Sequence, residues 1–291
     1  MTDLRGYGRY FGGGQKTCFP SVPKGRLWAI AMRKTVLVAL IVLLCGGVAF
    51  PREARGPIRI LSDLDFTPEN GVVAGNGTPD DPFVIAGWTI DASDADFAVQ
   101  IRGVTRPFVI RDLEITGARV AGIEVETTRN GHIRDVLIKG APTGILISLS
   151  RDIWVEGAKI VDCTDSVRLL FSRAIRLASL WLERATVAVW FTGTTGSELR
   201  DSFVSADLGV LLELGASGNL IVGNGFFCRV PVRSGGGNAW DDGTQGNYWS
   251  GFSAPDADGD GILDHPFPVN SDEVDRFPLA AFVPPTLELD P

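Results

Sequence analysis

The sequence predicts an all-β protein, a right-handed parallel β-helix of about seven 22-residue coils with a C-terminal cap. Three observations predict it. Two short apolar patterns recur at a near-constant step, each alternates apolar and polar residues as a half-buried strand does, and the tail that follows has neither property.

The first pattern is carried by FVIAGWTI (83–90), FVIRDLEI (108–115), GHIRDVLI (131–138), IWVEGAKI (153–160), IRLASLWL (175–182), SELRDSFV (197–204) and NLIVGNGF (219–226). Their third residues are Ile85, Ile110, Ile133, Val155, Leu177, Leu199 and Ile221, at steps of 25, 23, 22, 22, 22 and 22. A second series, GIEV (122–125), GILI (144–147), SVRL (166–169), AVWF (188–191) and GVLL (209–212), steps by 22, 22, 22 and 21. One coil per repeat stacks equivalent positions and buries a continuous core that no single coil forms alone. The inward columns are then the Ile85 series and Ile90, Ile115, Ile138, Ile160, Leu182, Val204 and Phe226. Asp112, Asp135, Gly157, Ser179, Asp201 and Gly223 recur at one bend. The right hand is the usual one for parallel crossovers.

Along the chain, residues 1–31 are expected to be an extension or mis-assigned start, because Met32 is followed at once by Arg33 and Lys34. Residues 32–49 read as a signal peptide: two basic residues, an apolar run from Val36 to Cys45, and small Gly47 and Ala49 before a break. That run is too short for an ordinary membrane span, so the mature chain is expected to have none, and the protein to be exported, periplasmic or extracellular. Residues 50–82 are assigned to an N-terminal cap, 83–233 to the β-helix and 234–291 to the C-terminal cap.

Charge narrows the partners. Residues 1–49 hold seven basic residues and one acid of the chain's 27 and 35, which leaves 50–291 with 20 and 34, a net of −14. Such a surface repels nucleic acid and anionic membranes, and disfavours acidic polysaccharides unless a cation bridges them. Cys163 and Cys228 fall near one corner three coils apart, roughly 14 Å at about 4.8 Å per coil, so two free thiols are expected rather than a disulfide.

Alternation puts Glu114, Leu137, Lys159, Trp181 and Phe203 outward in one column, Trp154 outward elsewhere, and Trp190 on a different face. Trp154, Trp181, Trp190 and Phe203 are the candidate ligand-binding residues, since exposed aromatics stack on sugar rings or seat a partner. Arg111 and Arg134 are each followed by an aspartate, Asp112 and Asp135, and are expected to pair with it. No catalytic constellation shows; the histidines are His132, outward in a coil, and His265, beside an acidic loop.

That loop, DADGDGILD (256–264), has the ligand spacing of a calcium site. Asp256, Asp258 and Asp260 stand at positions 1, 3 and 5, Gly261 at 6, Ile262 offers a backbone carbonyl at 7 and Asp264 stands at 9. Position 12 is Phe267 rather than a bidentate Glu, so the loop is not an EF-hand, and a further ligand is expected from Asp272, Asp275 or water. The neighbouring NAWDDGTQGNYWSGF (238–252) and DHPFPVNSDEVDRFPLAAF (264–282) supply aromatics to plug the last coil, with calcium pinning them.

GNGTPDDPFVIAGWTI (75–90), the coils, and the tail GNYWSGF, DADGDGILDHPFPV and DRFPL resemble the NosD-like periplasmic β-helix proteins from about Pro57 to Leu279. The resemblance implies a right-handed β-helix, export and a copper-associated accessory role; the coils are also similar to carbohydrate-binding and sugar-hydrolysing β-helix repeats. Copper does not carry over residue by residue. Both methionines, Met1 and Met32, precede the coils, and the soft donors left are Cys163, Cys228, His132 and His265. The expected function is a calcium-stabilised exported scaffold that binds a glycan or envelope partner along its outer faces. The alternatives are a polysaccharide lyase, hydrolase or epimerase, and a copper-handling accessory protein.

Overall fold

The computed structural model describes residues 52–287. The extension 1–31 and the signal segment 32–49 lie outside the described residues. Among those described, no helix is long and apolar enough to cross a membrane.

The chain winds into a β-solenoid of about eight turns built from three parallel ribbons. One ribbon stacks Phe83–Ala86, Arg151–Glu156, Arg173–Ala178, Glu198–Arg200 and Leu220–Val222 with the first halves of Phe108–Thr116 and Arg129–Lys139. A second contains their second halves, Trp88–Asp91, Lys159–Val161 and the starts of Trp181–Thr192 and Phe203–Glu213, and ends on Gly225–Phe226 and Tyr248–Trp249. The third runs from Ile58–Ile60 through Phe97–Arg102, Ala121–Glu126, Thr143–Ser148 and Asp165–Leu170 to Val230–Ser234.

The turn beyond the expected seven comes from the segment assigned to an N-terminal cap. Glu53–Arg55 and Ile58–Ile60 pair in parallel with Trp88–Asp91 and Phe97–Arg102 and so belong to the solenoid. Ile60 faces Ile101, 41 positions on, because residues 62–82 interpose two 3-10 turns and the strand Val72–Ala74. That insertion hides the period.

The inward columns are as the repeat requires: Ile90, Ile115, Ile138, Ile160, Leu182, Val204, Phe226 and the Ile85 series are all essentially without solvent exposure. Each such side chain contributes about 1.5–3 kcal/mol by burial. The bend column is equally regular. Asp112, Asp135, Gly157, Ser179, Asp201 and Gly223 all have φ between +52° and +72°, the left-handed region that Gly and short polar residues tolerate best. Cys163 and Cys228 are free, on a column with Ala185 and Ala206 paired between them.

Turning corners leaves inward-facing backbone N–H groups outside the strand pairing, and polar side chains one coil on accept from them. Ile175 N–H donates to Ser197 Oγ, Ser197 N–H to Asn219 Oδ1 and Asn219 N–H to Asn238 Oδ1. In parallel, Leu180 N–H donates to Ser202 Oγ, Ser202 N–H to Asn224 Oδ1 and Asn224 N–H to Asn247 Oδ1. Each ladder ends on a carboxylate of one short segment: Asn238 N–H donates to Glu273 at 2.6 Å and Asn247 N–H to Asp275 at 2.7 Å. The ring of Trp249 lies on Phe226, the last inward residue of its column (4.7 Å, 14°), and Phe267 on Trp249 (4.2 Å, 12°). Trp249 also donates its indole N–H to Asp275 at 2.8 Å.

Asp275 is fully buried, and desolvation pushes its carboxyl up to about 6 despite three donors, the third being Phe277 N–H. A raised carboxyl binds its proton more tightly folded than unfolded. Its contribution is therefore full below the unfolded value of about 4 and is lost as pH rises through about 6. Thermal melts of the wild type and Asp275→Asn should show the wild type gaining on the variant by several degrees between pH 7 and pH 4. A difference independent of pH would contradict this.

Candidate functional site

The four aromatic candidates fall on three faces. Trp154 lies on the first ribbon, 47% exposed, with the Arg176 guanidinium 4.9 Å from its ring and His132 edge-on at 5.8 Å. Trp190 lies on the third, half-buried; its indole N–H donates to Glu213 at 2.9 Å and Arg168 covers its ring at 4.0 Å. Only Trp181 and Phe203 come together, stacked at 4.4 Å on the second ribbon, where their register pairing places them one above the other.

Three residues outside the repeat pattern extend that pair into a ledge. Phe227 packs against Phe203 at 5.2 Å, and Tyr248 and Phe282 lie 5.4 and 6.2 Å from Phe227. The column below Phe203 holds Gly225 and then Tyr248. A Cβ on Gly225 would sit 2.3 Å from the Phe282 ring, so the missing side chain is what lets Phe282 lie across the ribbon. Phe282 arrives from the aperiodic tail and Tyr248 follows an insertion. A 22-residue step reaches neither, whereas the aromatic density of 248–252 was the available signal. Lys159 stands over the other end of the ledge, 5.6 Å from Trp181. The ledge is a run of rings packed on one another along successive coils, flanked by Lys159 and by Glu183, which accepts the Trp181 indole N–H at 3.1 Å.

The outward arginines behave as expected: Arg111 pairs with Asp112, and Arg134 with Asp135 at 2.6 Å.

In the acidic loop, carboxylate oxygens of Asp256, Asp258 and Asp260 lie within 4.8 Å of one another. Their other bonds shape the turn. Asp256 accepts from Gly259 N–H and Gly261 N–H, Asp258 from Asp260 N–H, and Asp260 from Ile262 N–H. Asp264 stands outside that trio and accepts from Ala257 N–H at 3.0 Å, bracing the loop's entry. Leu263 N–H donates to Pro278 O and Ala280 N–H to Gly261 O, which tie the loop to the segment behind Phe282. Asp275, expected among further ligands, is instead buried at the end of its ladder with both oxygens engaged. Asp272 accepts from Ser271 Oγ and is likewise outside the trio.

The soft donors stay apart. Cys163 and Cys228 are three coils from each other, and burial raises both thiols, Cys228 to about 11, so neither is a ready thiolate. His132 lies on the first ribbon 3.5 Å from Glu156, its pKa lowered by burial, and His265 is exposed beside the acidic loop. These four residues do not form a copper site among the described residues.

A family model described as "Periplasmic copper-binding protein (NosD)" matches residues 97–254, more than half of the 291-residue chain. The chain belongs to this family. No curated protein matches it. Among solved structures, a chain from "The complex structure of XylC with xylose" is similar over 60% of this chain, with 10% identity and a TM-score of 0.38. The chain spans about a third of that protein's length, 35%. The family is described as periplasmic, but its copper finds no fitting donor set in the described residues.

Proposed function

We propose that this protein is an exported β-helix scaffold that binds a glycan through the aromatic ledge of its second ribbon, with a calcium ion stabilising the segment that holds one end of that ledge. The observation that carries the reading is the ledge itself. Trp181, Phe203, Phe227, Tyr248 and Phe282 form a continuous aromatic strip along the solenoid, an apolar surface against which the C–H faces of sugar rings can pack. The family's periplasmic description supports export. Asp256, Asp258 and Asp260, with the Ile262 carbonyl and Asp264, suit a hard cation that prefers oxygen ligands. Calcium would relieve the repulsion of the three carboxylates and fix the loop to which residues 278–280 are bonded.

Titration calorimetry against a panel of cell-envelope and plant-wall oligosaccharides tests the ledge. At least one should bind, and Trp181→Ala or Phe203→Ala should weaken it about tenfold, the scale of one or two lost stacking contacts. Binding unaffected by both variants would overturn the reading. Calcium should raise the melting temperature of the wild type by several degrees and leave an Asp258→Ala, Asp260→Ala variant unmoved; an equal rise in both would remove calcium from the loop.

A further inference from the structure

A second groove opens at the corner where the third ribbon passes into the first, lined by none of the ledge residues. Arg129, Arg151 and Arg173 start three successive strands and pair in register, Arg151 with both neighbours. They stack one coil apart, so the outer two are about 10 Å from each other. Two residues earlier, Thr127, Leu149 and Phe171 form the opposite lip. Between the lips, Thr128, Ser150 and Ser172 point into the wall, each buried and bonded to the next coil's hydroxyl. The open cleft so formed holds about 370 Å³, with Val104 and Thr105 at one end and Gly193 and Thr195 at the other.

Three features of this cleft need a partner to make sense. No carboxylate lines it. Among the described residues Arg129 and Arg173 have no acidic neighbour within salt-bridge distance, and Arg151 reaches only Asp152 at 3.9 Å. Like charges opposite each other on adjacent strands oppose pairing, yet here three are aligned on a chain whose net charge is −8. The facing lip exposes apolar side chains. Leu149 and Phe171 are 58% and 59% exposed, on a regular bend column in which Thr127, Leu149, Phe171 and Gly193 all have φ between +47° and +57°.

We propose that this cleft binds a uronate-bearing, carboxylate-rich glycan, whose carboxylates take the arginine column while its ring faces lie on Leu149 and Phe171. Planar guanidinium forks match carboxylates two bonds at a time. A linear acidic glycan repeats carboxylates along its length, as the arginines repeat along the solenoid. The acidic remainder of the surface disfavours acidic polymers, polysaccharides included, and the unpaired arginine column is the local exception that would confine such a glycan to this corner. The inference rests on the reading that the protein meets glycans, but it uses a different set of residues.

The test is calorimetry with oligogalacturonate, a neutral oligosaccharide of equal length and inorganic phosphate, at fixed calcium, on the full exported protein. Oligogalacturonate should bind the wild type, more weakly at higher salt, and Arg151→Ala should weaken it at least tenfold, with Arg151→Lys intermediate and Arg229→Ala, at an exposed arginine outside the column, without effect. Arg173→Ala serves as a second variant on the same column. Binding unchanged in both arginine variants, equal binding of the neutral oligosaccharide, or binding of phosphate in place of the uronate would each overturn the proposal. If a neutral glycan binds through Trp181 while the uronate does not, this proposal falls and the ledge stands; if no glycan binds, both fall.

Discussion

Everything beyond the coils depends on how the corner ladders that run through Ser197 and Ser202 end. A buried N–H left without an acceptor costs about 1–3 kcal/mol, and a solenoid repeats that demand at every coil. Ser and Asn side chains meet it coil by coil. The asparagines also return a bond to the preceding coil, Asn224 to Leu199 O and Asn247 to Ile221 O. The last rung of each ladder has no next coil, and Glu273 and Asp275 stand in for it. Arg276 then turns outward to pair with Asp241 at 2.6 Å, so the E-V-D-R segment holds residues 238–249 from three sides. Trp249 is thereby fixed over Phe226, and the aromatic ledge owes its lower half to the same arrangement.

Much of this architecture was readable because parallel stacking imposes one geometry on every coil. Apolar columns and the left-handed bends at Asp112, Asp135 and Asp201 follow from a single period, so each repeat confirms the others. What the period did not reveal has a common physical cause. The first coil is interrupted by residues 62–82, and Phe282 and Tyr248 reach their places through chain that does not repeat. Asp275, one of three sources expected for a further calcium ligand, has the same composition as the loop's carboxylates; burial, with both oxygens engaged by N–H donors, sets it apart. The arginine corner did carry a signal. Arg129, Arg151 and Arg173 are spaced by 22, but a search for apolar columns passes over charge.

The outer faces are where this chain departs from a bare scaffold. Backbone geometry is nearly constant from coil to coil, so specificity resides in which side chains stand outward. The second ribbon presents aromatics, the corner presents arginines, and the four soft donors among the described residues are scattered over separate elements. A solenoid carries such surfaces side by side because each needs only a few adjacent coils.

The most direct test of the ladder account is amide hydrogen exchange in Glu273→Ala, read residue by residue against the wild type. Loss of the terminal acceptor should speed exchange at Asn238 most, at Asn219 less and at Ser197 least, while Asn247, Asn224 and Ser202 on the other ladder keep their protection. A change confined to Asn238, or one shared equally by both ladders, would contradict it.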